Sequence, residues 1–118
     1  KMGVKHLTTP TFVEKVGDYK HKDKWKFKGD KPCLVDFHTS WCVYCKRLTP
    51  ILEELNREFD GQIDFYKVDV DKEAELEEAY NIRTVPTLLL CNADGSFKQM
   101  LGTVTKNELK KIIEKELL

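Results

Sequence analysis

Two cysteines of this chain are spaced for thiol–disulfide chemistry. Cys42 and Cys45 stand three positions apart, after an apolar run at 33–37 and before a pattern with helical periodicity. At a strand-to-helix turn, the first sulfur lies at the helix N-cap and the second lies one turn further along. A helix N-terminus favours negative charge, and the thiolate is the nucleophile in disulfide exchange. We therefore predict that Cys42 attacks a disulfide and that Cys45, more deeply placed, resolves the mixed disulfide.

Two other interpretations of this cysteine pair stay open, a zinc site and inert core cysteines. A structural zinc site usually takes a second such pair or a pair of histidines, and Cys33 and Cys91 are isolated in the sequence. We favour the redox interpretation. It requires no metal and no organic cofactor, because the Cys42–Cys45 disulfide is itself the redox centre.

Length and charge limit what else the chain does. We expect a single domain over 1–118, since 118 residues are enough for a hydrophobic core without stabilising disulfides. Lys+Arg and Asp+Glu both number 20, so we expect neither nucleic-acid nor general anionic-membrane binding. The apolar runs are too short for membrane insertion. The chain opens at Lys1 and not at a methionine, which favours a trimmed protein exported to a bacterial periplasm or cell envelope over a cytoplasmic one.

A lysine-rich stretch with interleaved aromatic residues spans 19–28. Such a pattern is compatible with binding of single-stranded nucleic acid. Because the net charge is zero and the stretch contains no arginine, we favour a solvated connector whose Trp25 and Phe27 pack against the domain. Residues 1–32 are thus expected to form a short strand, a short helix and this connector.

The periodicity of the remaining chain predicts an α/β fold with element order β-α-β-α-β-α-β-β-α. The strand at 33–37 is apolar on both faces, as in the centre of a sheet, but Asp36 interrupts it. A carboxylate there is costly to bury unless it is paired or used. Asp71 is the predicted N-cap of the third helix, and Thr105 with Glu108 predicts a capping box on the last.

The combination of these segments resembles the thioredoxin family from about residue 6 to the C-terminus. A narrower similarity, in the connector and at 29–33, is to thioredoxins of Bacteroides-type bacteria. The segments that carry the family resemblance are Leu34-Val35-Asp36-Phe37, Trp41-Cys42-x-x-Cys45-Lys46, Pro50-Ile51-Leu52, Lys67-Val68-Asp69, Ile82-Arg83-Thr84-Val85-Pro86-Thr87 and Gly102.

The resemblance implies a thioredoxin fold, a central mixed sheet flanked by helices on both faces. It implies a cis bond between Val85 and Pro86, with the backbone before the proline pairing with a substrate strand. It also places Asp36 beneath Cys45 as a general base acting through water, with its pKa raised by desolvation, and Lys67 as the partner of this acid. The alternative for the last two residues is a satisfied ion pair.

The activity implied is that of a protein-disulfide oxidoreductase, with protein disulfides as substrates and reduction as the favoured direction. Trp41 would offer substrates a flat apolar surface, the alternative being plain core packing. The electron donor would be a thioredoxin reductase or, in a periplasm, a membrane electron conduit. We expect a monomer. Disulfide isomerisation and a non-catalytic binding module are the alternative functions.

The chain departs from the family between its two active cysteines, where Val43 and Tyr44 replace the usual Gly-Pro. Tyr44 restores a backbone N–H that proline lacks, which should stabilise the Cys42 thiolate and hence the reduced form. We predict a reduction potential above about −270 mV, toward the value of about −180 mV of protein disulfide isomerase.

Three further residues have side chains that could take part in the chemistry, namely His38, Cys33 and Cys91. His38 stands where the family usually has an aromatic residue; it either tunes the thiols near neutral pH or packs at the surface, and we favour packing. The family resemblance implies that Cys33 and Cys91 lie nearly opposite one another on neighbouring strands. We expect two packed thiols there and not a disulfide.

Overall fold

The computed structural model of the chain describes residues 3–20 and 26–118. The predicted packing of Trp25 lies outside the described residues, whereas Phe27 is half-buried against the core. The strands are β1 (Lys5–His6), β2 (Cys33–His38), β3 (Asp64–Asp69), β4 (Thr87–Cys91) and β5 (Phe97–Leu101). The helices are α1 (Thr9–Lys15), α2 (Val43–Glu58), α3 (Ala74–Ala79) and α4 (Lys106–Leu117). This is the predicted element order.

The five strands form one mixed sheet in the order β1-β3-β2-β4-β5. β2 lies at its centre, parallel to β3 and antiparallel to β4, while β5 is antiparallel to β4. The predicted apolar character of β2 is confirmed, because every residue from Cys33 to Phe37 is buried. The α/β architecture with a mixed central sheet is therefore confirmed.

Alternate residues of β2 face two different hydrophobic clusters. Val35 and Phe37 pack with residues of α1 and α3, and Leu34 packs with residues of α2 and α4. Helices therefore cover both faces of the sheet. Asp36 shares the face of Leu34, because side chains alternate along a strand. The acid thus lies under α2, the helix that carries the two active cysteines.

The N-termini of α1 and α4 are closed by capping boxes, whereas α3 begins at a different residue from the one predicted. The capping box of Thr105 and Glu108 on α4 is confirmed. A second box, formed by Thr8 and Thr11, begins α1. The prediction that Asp71 caps the third helix is wrong, since α3 begins at Ala74 with Glu73 at its N-cap. In the part of the chain described here, no helix is long and apolar enough to cross a bilayer.

Candidate active site

Cys42 is the N-cap of α2. Its backbone is extended (φ −84°, ψ 118°), and its Sγ accepts a hydrogen bond of 3.2 Å from the N–H of Cys45, the third residue of the helix. The sulfur therefore occupies the place of a capping oxygen, where positive backbone dipoles converge. Cys42 is 6 % exposed and Cys45 is 3 % exposed, in the predicted order.

The residue before the cis proline faces the first sulfur. The thiol of Cys42 donates to the carbonyl oxygen of Val85 across 3.7 Å, and the Val85–Pro86 bond is cis, as predicted. Gly102 packs behind the proline and donates its N–H to the Pro86 carbonyl oxygen at 2.8 Å. A Cβ at position 102 would lie 3.0 Å from Cγ of Pro86, so this close approach favours glycine. The backbone at Val85 is thereby held beside the reactive sulfur.

Cys45 is a poor acid in the resting structure. Burial raises the pKa of its thiol to about 12, with further contributions from its hydrogen bond with Cys42 and from the charge of Asp36. A hydrogen bond from the backbone of Thr39 opposes the increase. A resolving thiol must lose its proton to attack. The second step of disulfide exchange at this site therefore needs a base.

Asp36 is the buried carboxyl whose charge contributes to the raised pKa of Cys45. Its side chain is 2 % exposed, and Oδ1 has no hydrogen-bond partner. Burial raises the pKa of the carboxyl to about 7, while the positive charge of Lys67 lowers it to a smaller extent. Lys67 is the register partner of Asp36 on β3. A fully satisfied ion pair does not describe this arrangement, because one carboxyl oxygen is unpaired. An acid with a pKa near 7 exchanges protons readily at neutral pH.

A small cavity adjoins the carboxyl of Asp36. Its volume is about 10 Å³, which is close to the least that holds one water molecule. A water there would contact polar groups and not only apolar walls. The cavity is lined by Val4, Asp36, Thr49, Leu52, Glu53 and Lys67.

Trp41 lies at the surface directly before the reactive cysteine. Its side chain is 69 % exposed, so the alternative of core packing is wrong. The indole Nε1 donates a 2.9 Å hydrogen bond to Oδ2 of Asp71. Val43 and Tyr44 are 59 % and 57 % exposed. Together these three side chains form an exposed apolar rim around a covered sulfur.

The prediction that the Tyr44 N–H stabilises the Cys42 thiolate depends on which backbone N–H groups at the start of α2 reach the sulfur. The bond that Cys42 Sγ accepts comes from Cys45, and a proline at position 44 would leave that bond intact. Among the described residues, no bond from the Tyr44 N–H to this sulfur is present. The predicted increase in reduction potential therefore depends on the Tyr44 N–H turning to the sulfur once the thiolate forms.

His38 and the second pair of cysteines contact groups other than the reacting sulfurs. His38 is half-buried, with its ring centroid 5.6 Å from that of His6 and its Nε2 without a hydrogen-bond partner. Burial lowers its pKa, which favours the neutral ring at pH 7. Cys33 lies directly opposite Cys91 on β4, and both are free thiols. Across residues 3–20 and 26–118, no group of three or more His, Cys, Asp or Glu side chains is placed to hold a metal ion.

Three residues of the site were not predicted from the sequence to belong to it. Thr39 supplies a backbone hydrogen bond to Cys45, and its buried Oγ1 has no partner. Glu53 lines the cavity beside Asp36. Asp71 holds the Trp41 indole. A signal was available only for Asp71, an acidic residue directly after a strand that ends near the cysteine pair.

A nucleophilic thiol at a helix N-cap, a resolving thiol one turn on and a buried acid behind it define a thiol–disulfide oxidoreductase. The family model described as Thioredoxin matches residues 4–115. A thioredoxin of Borreliella burgdorferi is 42 % identical over 108 residues, 92 % of each chain. Thioredoxin 1 of Nostoc sp. is 31 % identical over 111 residues, 94 % of each chain. Thioredoxin C-2 of Corynebacterium nephridii is 35 % identical over 89 residues, 75 % of this chain and 82 % of its own. The chain belongs to the thioredoxin family.

Proposed function

We propose that this thiol–disulfide oxidoreductase works as a reductase of protein disulfides, with the side chains above in the following roles. The thiolate of Cys42 attacks one sulfur of a substrate disulfide, and the other substrate sulfur leaves as a thiolate that takes up a proton. A mixed disulfide joins Cys42 to the substrate. Both electrons needed to reduce the substrate come from the Cys42 and Cys45 thiols.

The second step uses Asp36. The Cys45 thiol passes its proton to the Asp36 carboxylate through water, and the resulting thiolate attacks Sγ of Cys42. The Cys42–Cys45 disulfide forms, and the second substrate sulfur is released as a thiol. Lys67 limits how far the Asp36 pKa is raised, so that a useful fraction of the acid is ionised at neutral pH.

Substrate binding would involve the exposed rim and the cis-proline loop. An extended substrate segment pairs with the backbone at Val85 next to Pro86, and its apolar side chains lie on Trp41, Val43 and Tyr44. The observation that carries the proposal is that Cys42 caps the helix by accepting the N–H of Cys45, whose thiol pKa is raised in part by the charge of Asp36.

Reduction of insulin in the presence of dithiothreitol tests this function. We expect turnover by the wild-type chain and none by Cys42→Ser. Cys45→Ser should instead accumulate a covalent mixed disulfide with the substrate, visible on a non-reducing gel. Cys91→Ser, which removes a thiol remote from the site, is the matched control and should retain activity. Equal insulin reduction by Cys42→Ser and the wild type would refute the proposal.

The electron donor, the oligomeric state and the location of the protein are predictions from its sequence. An upstream thioredoxin reductase returns the Cys42–Cys45 pair to its dithiol form, with a membrane electron conduit as the donor in a periplasm. We propose a monomer and an exported bacterial location. The narrower similarity to Bacteroides-type proteins also stays a prediction. Isomerisation remains the alternative activity if the reduction potential proves as high as Tyr44 implies.

A further inference from the structure

A pocket opens beside the exposed rim, between α2 and the segment that joins β5 to α4. Its volume is about 260 Å³, below the range of sites that hold a cofactor or a drug-sized ligand. A single amino-acid side chain is an occupant of suitable size. We call it the Arg47 pocket, and the residues that matter in it are Tyr44, Arg47, Leu48, Ile51, Val104 and Glu108.

The Arg47 pocket is continuous with the loop that faces the reactive sulfur. Gly102 contributes to its wall and lies against both Pro86 and Leu48, since a Cβ added there would come within 3.0 Å of one and 3.1 Å of the other. Tyr44, on the opposite wall, stands two residues after Cys42. A substrate segment that crosses Val85 therefore has this pocket within reach of a side chain near its own cysteine.

Arg47 and Glu108 are charged residues of the pocket, and they have different partners. The guanidinium carbon of Arg47 lies 5.3 Å from the ring centroid of Tyr44, a cation–π arrangement that orients the group. Arg47 is exposed and enters no ion pair with any residue in 3–20 or 26–118. Glu108 keeps its negative charge but forms no ion pair with Arg47; its Oε1 accepts the N–H of Thr105 at 3.1 Å, which holds the carboxylate at the start of α4. The same bond holds the pKa of Glu108 below its usual range.

We propose that the Arg47 pocket selects substrates, receiving one apolar side chain close to the substrate disulfide while Arg47 pairs with an acidic side chain beside it. The occupant is a disulfide-bearing polypeptide with an apolar–acidic pair next to its reactive cysteine. Leu48, Ile51 and Val104 supply the apolar lining, and the oriented guanidinium supplies the complementary charge. This inference rests on the proposed reductase function and narrows its substrate class.

Reduction of short peptides with one intramolecular disulfide provides the test. In one pair, Leu-Glu or Leu-Lys follows the attacked cysteine; in a second pair the same residues precede it. The measured quantity is the ratio of kcat/KM for the glutamate peptide to that for the lysine peptide. We expect a ratio of roughly 1.5 to 5 in at least one pair, the range for a partly exposed charge contact. The ratio should decrease with salt, because screening weakens exposed pairs.

Two arginine variants separate this contact from general effects. Arg47→Glu should invert the ratio, and Arg47→Gln should bring it close to one. Arg57→Gln, a substitution of an exposed arginine near the far end of the same helix, should leave the ratio as in the wild type. Replacing the peptide leucine by glycine should lower kcat/KM for the wild type. Because the ratio compares two substrates of one enzyme, partial loss of folded protein does not alter it.

The outcomes distinguish failure of this inference from failure of the function. If the wild type reduces neither peptide nor insulin, the proposed reductase function is wrong. If it reduces all peptides with a ratio near one, unchanged in Arg47→Glu, the function stands and substrate selection by the Arg47 pocket is refuted. Loss of the ratio in Arg57→Gln as well would also overturn the inference, because it would assign the preference to the overall charge of α2.

Discussion

The indole Nε1 of Trp41 donates a 2.9 Å hydrogen bond to the carboxylate of Asp71, which anchors one side chain of the exposed rim. The ring itself stays 69 % exposed, so this bond orients an apolar surface without burying it. An oriented ring is ready to receive substrate, whereas a free one must be ordered during binding, which opposes association.

Removal of this bond should weaken protein substrates selectively. In Asp71→Ala we expect kcat/KM for insulin to decrease roughly 2- to 10-fold, the equivalent of one hydrogen bond of about 0.5–1.5 kcal/mol. Reduction of a small aromatic disulfide should change little, since it needs less of the rim. Asp71→Asn keeps an acceptor oxygen and serves as the control. An equal decrease for both substrates would argue that Asp71 acts on the cysteines and not on Trp41.

The proton transfer proposed for Asp36 predicts a pH dependence of the resolving step. The carboxylate form is the base, and its pKa is raised to about 7 by burial. The rate of release from the mixed disulfide should therefore increase from pH 6 to pH 8 in the wild type. In Asp36→Asn the step should be slower and should follow only the ionisation of Cys45. Rapid-mixing measurement of substrate release resolves this, and an unchanged rate and pH profile would exclude the general-base role.

The same buried acid predicts how stability changes with pH. Its pKa is about 7 in the folded chain against an ordinary value of 3.8, so the folded state binds the extra proton between these pH values. Asp36 thus destabilises the protein progressively as pH rises from about 4 to about 7. At about 1.4 kcal/mol for each pH unit, the full effect reaches about 4 kcal/mol. Urea unfolding should show Asp36→Asn more stable than the wild type at pH 8 and nearly equal to it at pH 4.

The backbone at position 44 predicts a change in reduction potential. Tyr44→Pro removes one N–H from the first turn of α2 and leaves the observed bond from Cys45 to the Cys42 sulfur intact. We expect the variant to have a lower potential than the wild type, because its thiolate loses a possible donor. Equilibration with glutathione measures both proteins. Equal potentials would show that the Cys45 N–H alone determines the stability of the thiolate.

Much of the site was predictable because short-range patterns in the sequence determine it. Spacing placed Cys42 at an N-cap, and an isolated acid in an apolar strand marked Asp36. Family resemblance added the cis bond at Pro86. Contacts between distant segments were not predictable in this way. Asp71 looked like a helix cap by local rules, yet it serves Trp41 and the helix begins at Ala74.

The Arg47 pocket illustrates the same limit. Helical periodicity shows that Tyr44 and Arg47 lie on one stripe of α2, since residues three apart are neighbours on a helix. It does not show what faces them. The opposite wall comes from residues 102–108, brought there by the register of β5 and by the glycine that lets its loop approach Pro86. Only the assembled sheet reveals that the Arg47 guanidinium lies in a pocket shared with Gly102, the residue that packs against Pro86.

The two pairs of cysteines lie on opposite sides of the central sheet. Cys33 and Cys91 belong to the cluster beneath α1 and α3, each about 1 % exposed, whereas the redox pair belongs to α2 on the other side of the sheet. A thiol titration of the native reduced protein should consequently report fewer than its four sulfhydryl groups. The sulfhydryl groups that do not react in the native protein should react in denaturant. The difference between the two titrations measures how well that half of the molecule excludes reagents.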